Sequence, residues 1–452
     1  MGFRTALLAG FLFPLQERLK GHDTVAIRRR LDDSQWWPAE RLEQYRTNRL
    51  RELLVRAGKH VPYFRDCFSA MAFDPRSVSS TGDLRALPFL TKSIIRREGE
   101  RMKSEVAGKL SRFNTGGSSG EPLVFYVGNE RISHDVAAKW RATRWWGVDV
   151  GDPEIVVWGS PIELSAQDRL RGARDWLMRT ELLPAFEMSE ARLDAFVERI
   201  RARRPAMLFG YPSAIGLIAA HAAKRKIALD GLGIKVVFVT SERLYEHQRR
   251  SIGEAFGCPV ANGYGSRDAG FIAHECPAGK IHLSAEDIIV EIVDAQGKPP
   301  PPGVPGEIAV THLATADFPF IRYRTGDVAA LGTERCACGR TLPVLEDIQG
   351  RSTDFVVAAD GTVMHGLALI YVLRDMPGIG QFKVVQESLD FTRVMVVAEA
   401  GFSAETERGI IAGLRERLGA AVRVEVQPMD RIPAEKSGKF RYVVSRVQRT
   451  EV

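Results

Sequence analysis

A chain of 452 residues exceeds one ordinary hydrophobic core, so two or more domains are expected. Its 45% hydrophobic and 26% charged content is that of a soluble globular protein, and a net charge of +7, from 63 basic against 56 acidic residues, fits an anionic ligand. No basic stripe is interleaved with aromatics, which argues against nucleic acid as a partner, and five cysteines are too few and too odd in number for a disulfide framework, which points to a reducing, cytoplasmic setting.

The apolar run from Thr5 to Phe13 stops at Pro14 and charge. It is far short of the roughly 20 residues that a bilayer span needs, so no transmembrane segment is expected. Gln16-Glu17-Arg18-Leu19-Lys20 supplies no small-residue cleavage site. A helix packed on the body is expected here, with a membrane-touching helix as the alternative. Leu42, Tyr45, Leu50, Leu53, Leu54 and Ala57 then recur at near-helical spacing from Pro38 to Ala57, and Pro62 ends that amphipathic helix.

The stretch Phe113-Asn114-Thr115-Gly116-Gly117-Ser118-Ser119-Gly120-Glu121-Pro122 precedes the apolar run Leu123 to Val127. Glycines let backbone N–H groups converge and the hydroxyls add donors, the chemistry of a phosphate cradle. It is not the lysine-containing P-loop, since Glu121 follows Gly120. A flexible linker would have the same composition.

Next come helix Ile132 to Trp146, strand Ile155 to Trp158, helix Leu193 to Ala202 and strand Ala206 to Phe209. Helix Ser213 to Arg225, strand Val236 to Val239 and helix Tyr245 to Phe256 continue the alternation. This order predicts a parallel α/β sheet with crossovers. Past Cys258 the chain turns β-rich, at Ile288 to Val293 and Glu307 to Thr311. From about Arg351, strand Phe355 to Val357, helix Leu367 to Arg374, strand Arg393 to Ala398, helix Glu405 to Leu418 and strand Val422 to Gln427 predict a small α+β unit. The expected fold class is therefore α/β: a large N-terminal domain, residues 1–351, of parallel α/β sheets plus a β-rich subdomain, and a small α+β domain, residues 352–452.

Five further motifs carry chemistry, each with a plainer reading. Ser241-Glu242 follows a strand at the end where α/β sheets bind ligands, and Ser241 could equally cap a helix. Asn262-Gly263-Tyr264-Gly265-Ser266-Arg267-Asp268 could stack a base on Tyr264 and hold Mg²⁺ through Asp268; alone it reads as a turn. Arg322-Tyr323-Arg324-Thr325-Gly326-Asp327 offers a carboxylate for ribose hydroxyls, or a solvated turn. Gly350-Arg351-Ser352-Thr353-Asp354 lies at the expected domain border. Pro433 to Arg441 carries Lys439 in a loop, or is a basic surface turn.

Taken together in this order, these motifs resemble the adenylate-forming superfamily of acyl- and aryl-CoA ligases, and within it the phenylacetate–CoA ligase-like branch that includes the CapK proteins of capsule biosynthesis. The resemblance covers nearly the whole chain, with Val61-Pro62-Tyr63-Phe64 and Gly210-Tyr211-Pro212-Ser213 looking like that branch. It implies an acyl-CoA-synthetase-like fold and a two-step reaction. A carboxylic acid attacks the α-phosphate of Mg·ATP to give an acyl-adenylate and pyrophosphate; a thiol, expected to be coenzyme A but open to a carrier-protein thiol, then displaces AMP. It implies that Thr115, Gly116, Gly117, Ser118, Ser119 and Gly120 hold phosphates, and that Ser241, Glu242, Tyr264, Gly265 and Ser266 belong to the nucleotide site with Tyr264 against adenine. Asp327 would take the ribose, Arg351 would lie near ribose and phosphate, and Asp268 would bind Mg²⁺. Lys439 would reach the carboxylate and α-phosphate, and Asp354 would lie near a hinge about which the small domain turns.

Departures from the family pattern are Glu121 for the common lysine, Asp268 for glutamate and Arg267 for a small hydroxyl residue. They leave room for two rivals: an adenylyltransferase of the deazaflavin-adenylating type, and an accessory protein of polysaccharide assembly that binds nucleotide without turnover. Trp158, Tyr211 and Pro212 are candidate walls for the acid, which suggests an aromatic or apolar one. Separately, Cys276, Cys336, Cys338 and His274 could form a closed structural Zn²⁺ site, with His282 as rival fourth ligand and unligated thiols as the plainer reading.

Overall fold

The structure is a computed structural model that describes residues 2–115, 123–158, 175–185, 188–294, 296–346, 348, 355–374, 376–430, 432 and 442–447. Gly116 to Gly120, Arg351, Asp354 and Lys439 therefore lie outside the described residues.

The chain opens on one continuous helical rod: α-helical Phe3–Leu7, π-helical Leu8–Leu12 and α-helical Phe13–Leu19. Leu8 and Phe13 are buried, and Phe13 meets the Trp140 ring edge-on at 5.0 Å, so the rod packs on the body as expected. Helix Ala39–His60 buries Leu42, Leu50, Leu53, Leu54 and Ala57 along one face. Pro62 stops it and starts the next helix, Pro62–Ala70, where a missing N–H costs nothing.

Strands β1 (Ser111–Asn114) and β2 (Val124–Val127) form an antiparallel hairpin. Strands β3 (Glu154–Trp158), β4 (Thr180–Pro184), β5 (Met207–Gly210), β6 (Val236–Thr240) and β7 (Val260–Ser266) pair in parallel in the order β4-β3-β5-β6-β7. Helices Glu190–Arg203, Pro212–Lys224 and Glu246–Phe256 supply the crossovers. Every residue of β5 and β6 is buried, as a parallel sheet covered on both faces requires.

The chain then reverses. Strands β8 (Gly270–Glu275), β9 (Ile281–Leu283), β10 (Ile288–Val293), β11 (Gly306–His312), β12 (Tyr323–Leu331) and β13 (Val344–Glu346) add antiparallel, completing one 11-stranded sheet in the order β10-β11-β12-β13-β9-β8-β7-β6-β5-β3-β4. The parallel region and the β-rich region are thus hydrogen-bonded into a single sheet. The Tyr264 stretch, which alone reads as a turn, is strand β7 up to Ser266.

Strands β14 (Phe355–Val357) and β15 (Val363–His365) form a hairpin, and β16 (Ile379–Gln386), β17 (Phe391–Ala398), β18 (Arg423–Pro428) and β19 (Val443–Ser445) a four-stranded sheet in the order β18-β17-β16-β19. Helices Leu367–Arg374 and Ala404–Leu418 pack against it. Leu369, Leu373, Val384, Val394, Ile410 and Leu414 give this separate α+β unit its own core.

Buried ion pairs tie the N-terminal helices to the sheet. Arg141 Nη1 lies 2.6 Å from Glu286 Oε1, which also accepts from Ser34. Asp287 Oδ1 lies 2.9 Å from Arg49 Nη1 and 2.6 Å from His134 Nδ1. Burial alone would raise the Asp287 carboxyl, but His134 and Arg49 outweigh it and hold it well below the usual range.

Candidate functional site

Strands β3, β5, β6 and β7 run parallel, so their carboxyl ends share one edge of the sheet, where open α/β sheets bind ligands. Trp158 closes β3 and Tyr211 follows β5; their rings stack at 4.3 Å between centroids. Phe209 continues the stack beneath Trp158 at 6.1 Å. Ser241, just past β6, has φ +72°, an uncommon conformation for a residue with a side chain and one that concentrates at functional sites. Next to it, Glu242 accepts from the hydroxyl and backbone N–H of Ser213. That carboxylate sits at the N-terminal turn of helix Pro212–Lys224, where an anion is favoured.

Along β7, the Tyr264 hydroxyl donates to Asp327 Oδ2 at 3.0 Å. Gly265 has no room for a side chain, because a Cβ there would stand 2.5 Å from the Gly270 carbonyl oxygen. Asp268 is buried, with the Ser266 hydroxyl on Oδ1 and the Tyr323 hydroxyl on Oδ2. Each carboxylate oxygen keeps a second lone pair beside its hydroxyl donor, so these bonds leave a place for an ion. Through these two bonds Asp268 braces the β7–β8 turn against β12.

The glycine-rich loop springs from the β1–β2 hairpin. Thr115 closes its base twice, its N–H donating to the Leu123 carbonyl and its hydroxyl accepting from the Leu123 N–H, both at 3.0 Å. Arg267 Nη1 reaches the Asn114 carbonyl at 3.4 Å, and Arg131 Nη2 donates to the Arg267 carbonyl at 2.8 Å. Burial lowers the Arg267 pKa. Arg267, a departure from the family pattern in sequence, thus ties the loop-bearing hairpin to the Tyr264 strand. Arg131 and Tyr323 complete this bracing, and no sequence motif marks Arg131 for it.

A second constellation lies on the β8–β9 side. The ligand atoms of Cys276, His282, Cys336 and Cys338 all lie within 4.8 Å of one another. Cys276 Sγ stands 3.6 Å from Cys336 Sγ, and Cys338 Sγ 3.3 Å from His282 Nε2. His282 Nδ1 is 3.1 Å from the Leu342 carbonyl, a bond that puts the proton on Nδ1 and leaves Nε2 free to ligate. Three thiols and one imidazole at this spacing fit a closed tetrahedral zinc set. Burial pushes the Cys276 thiol up to about 11. At Cys338 burial is outweighed by hydrogen bonds from Arg340 and the neighbouring thiols, which bring it below the ordinary thiol value.

The structure brings His282, and not His274, to the thiols. His274 is buried between the Phe271 ring, at 5.7 Å, and the Phe238 ring, at 6.0 Å. Burial, and then the nearby Arg141 charge, lower its pKa to about 3. It is a neutral core imidazole.

Among known proteins, residues 182–316 match the family model described as AMP-binding enzyme, and residues 356–446 that described as CapK C-terminal domain. The chain is 23% identical over 380 residues to protein CapK of Staphylococcus aureus, covering 82% of each. It is 24% identical over 439 residues to a phenylacetate-coenzyme A ligase of Thermus thermophilus, covering 90% of this chain and 97% of that one. A solved 2-hydroxyisobutyryl-CoA ligase, in complex with 2-HIB-AMP and CoA, superposes with a TM-score of 0.66 at 21% identity, covering 92% of this chain and 93% of that one. That likeness is one of fold.

Proposed function

The chain belongs to the adenylate-forming superfamily, on its phenylacetate–CoA ligase and CapK-like side, and we propose that it activates a carboxylic acid with ATP and passes the acyl group to the thiol of coenzyme A. A carboxylate oxygen attacks the α-phosphorus, the bond to pyrophosphate breaks, and an acyl-adenylate forms. A thiolate then attacks the acyl carbon and AMP leaves. The observation that best supports this reading is the Tyr264–Asp327 pair, an aromatic ring and a carboxylate joined at 3.0 Å at the ligand-binding edge of the sheet. Together they suit an adenosine: the ring as a stacking face, the carboxylate as an acceptor for ribose hydroxyls.

The loop from Thr115 to Gly120 is assigned to the phosphates, and Lys439 to the charge that develops between carboxylate and α-phosphate. Arg351 is assigned to ribose and phosphate, and the domain border to residues 351–352, with the small unit turning between half-reactions. The Trp158–Tyr211 stack is assigned to the acid pocket, which favours an aromatic or apolar acid. The Cys276, His282, Cys336 and Cys338 set is assigned to a structural zinc ion outside the chemistry. The departures Glu121, Arg267 and Asp268 favour one second reading, a nucleotide-binding accessory protein of polysaccharide assembly without turnover. Coenzyme A-dependent release of AMP, with the acyl thioester identified by mass, tests the proposal; adenylate formation without thioester would point to another acceptor.

A further inference from the structure

The outer side of the N-terminal rod carries Phe3, Leu7, Phe11, Leu15 and Leu19, which are 85%, 53%, 64%, 45% and 80% exposed. A spacing of four slightly overshoots an α-helical turn and would wind such a row around the rod. The π-helical turn Leu8–Leu12, bonded i to i+5, is wider, so four residues undershoot it and the drift is taken back. The row stays on one side. Trp176, 72% exposed, and exposed Leu177 directly precede Met178 in the chain, and Met178 packs with Phe13 and Trp140 under the rod.

The charges on this rod are sorted. Arg4, Arg18 and Lys20 are exposed, while its one acid, Glu17, is turned inward and accepts from Thr24, Lys20 and His22. Among the described residues Arg4 and Arg18 form no ion pair. The next helix, Thr24–Ser34, adds exposed Arg29 and Arg30 in its middle, with exposed acids only at its ends, Asp23 and Asp33.

We propose that this face seats the protein on an anionic lipid surface, the rod lying in the plane of the interface with its apolar row among the acyl chains and its cations at the headgroups. An outward apolar row and, on the rod itself, exposed charge of one sign are the features such a surface selects. Two copies paired through the row would bring their cations together with no exposed acid on either rod between them. The rod is too short to span a bilayer, and no helix among the described residues is long and apolar enough to do so.

Co-sedimentation of the full chain with vesicles of phosphatidylcholine, alone or mixed with anionic phosphatidylglycerol, tests this. Binding to the mixed vesicles should exceed binding to the neutral ones about tenfold and weaken with salt. Phe11→Ser with Leu15→Ser should lower it about tenfold and leave thermal unfolding unchanged. Arg4→Gln with Arg18→Gln should remove most of that roughly tenfold anionic preference and keep the residual neutral binding. No sedimentation with either vesicle would overturn the proposal. So would a dimer, seen by light scattering, that the Phe11→Ser, Leu15→Ser variant converts to monomer.

Discussion

The Tyr264 hydroxyl and Asp327 Oδ2, 3.0 Å apart, join β7 to β12, two strands that are not neighbours in the sheet. The bond fixes one side of the proposed adenosine site before nucleotide arrives. Asp327→Asn keeps the shape but loses the charge, which should cost about 1.5–3 kcal/mol of ATP affinity, a tenfold to hundredfold weakening. Tyr264→Phe keeps the ring face and should cost only severalfold. Calorimetric titration with ATP checks both, and equal losses would mean that the hydroxyl itself contacts nucleotide.

Asp268 is predicted to matter first for stability. Its two oxygens hold Ser266 and Tyr323, so Asp268→Asn forces an amide donor against a hydroxyl and should cost about 1–3 kcal/mol. A lowered denaturant midpoint is the expected result. An unchanged midpoint would contradict the bracing role, and an altered Mg²⁺ dependence of nucleotide binding would make Asp268 a metal ligand as well.

The purified protein should carry one zinc ion per chain, measured by plasma mass spectrometry. His282→Ala and Cys338→Ser should lose it, and His274→Phe should retain it, since the His274 ring lies between Phe238 and Phe271 rather than among the thiols. Chelation should lower the unfolding temperature, because the ion joins Cys276 beyond β8 to the loop after β12.

Acid should destabilise the fold partly through Asp287. Its carboxyl is held below its unfolded value by His134 and Arg49, so its contribution is full above about pH 4 and fades as pH falls further through the folded value. Asp287→Asn leaves Arg49 without its buried partner and should cost about 3–5 kcal/mol at neutral pH. The gap between variant and parent in urea unfolding should narrow below pH 4. A gap independent of pH would remove Asp287 from the acid response.

The parallel half of the fold is legible in sequence because runs such as Val236-Val237-Phe238-Val239 are buried on both faces and alternate with amphipathic helices. Strands β9 and β13 are not, being three residues long and paired with each other across a long stretch of chain. The Tyr264 stretch looks like a turn because of Gly263 and Gly265. It is a strand because those glycines admit close neighbours: a Cβ on Gly263 would stand 2.8 Å from the Phe238 ring. His274 is the nearer candidate to Cys276 along the chain. His282 wins because β8 and β9 fold back on each other, bringing it across to the thiols, a pairing that spacing alone does not reveal. The side-chain chemistry of Tyr264 and Asp327 is readable one motif at a time, but their contact depends on the sheet.

The account's central claim is acid activation, and ATP–pyrophosphate exchange with the intact protein tests it most directly. A panel of aryl, short-chain, fatty and amino acids should give exchange with one class, and Lys439→Ala should abolish that exchange while ATP still binds. Exchange with no acid, by a protein that binds ATP, would contradict acid activation and leave the accessory reading; undiminished exchange in Lys439→Ala would contradict the role given to that lysine.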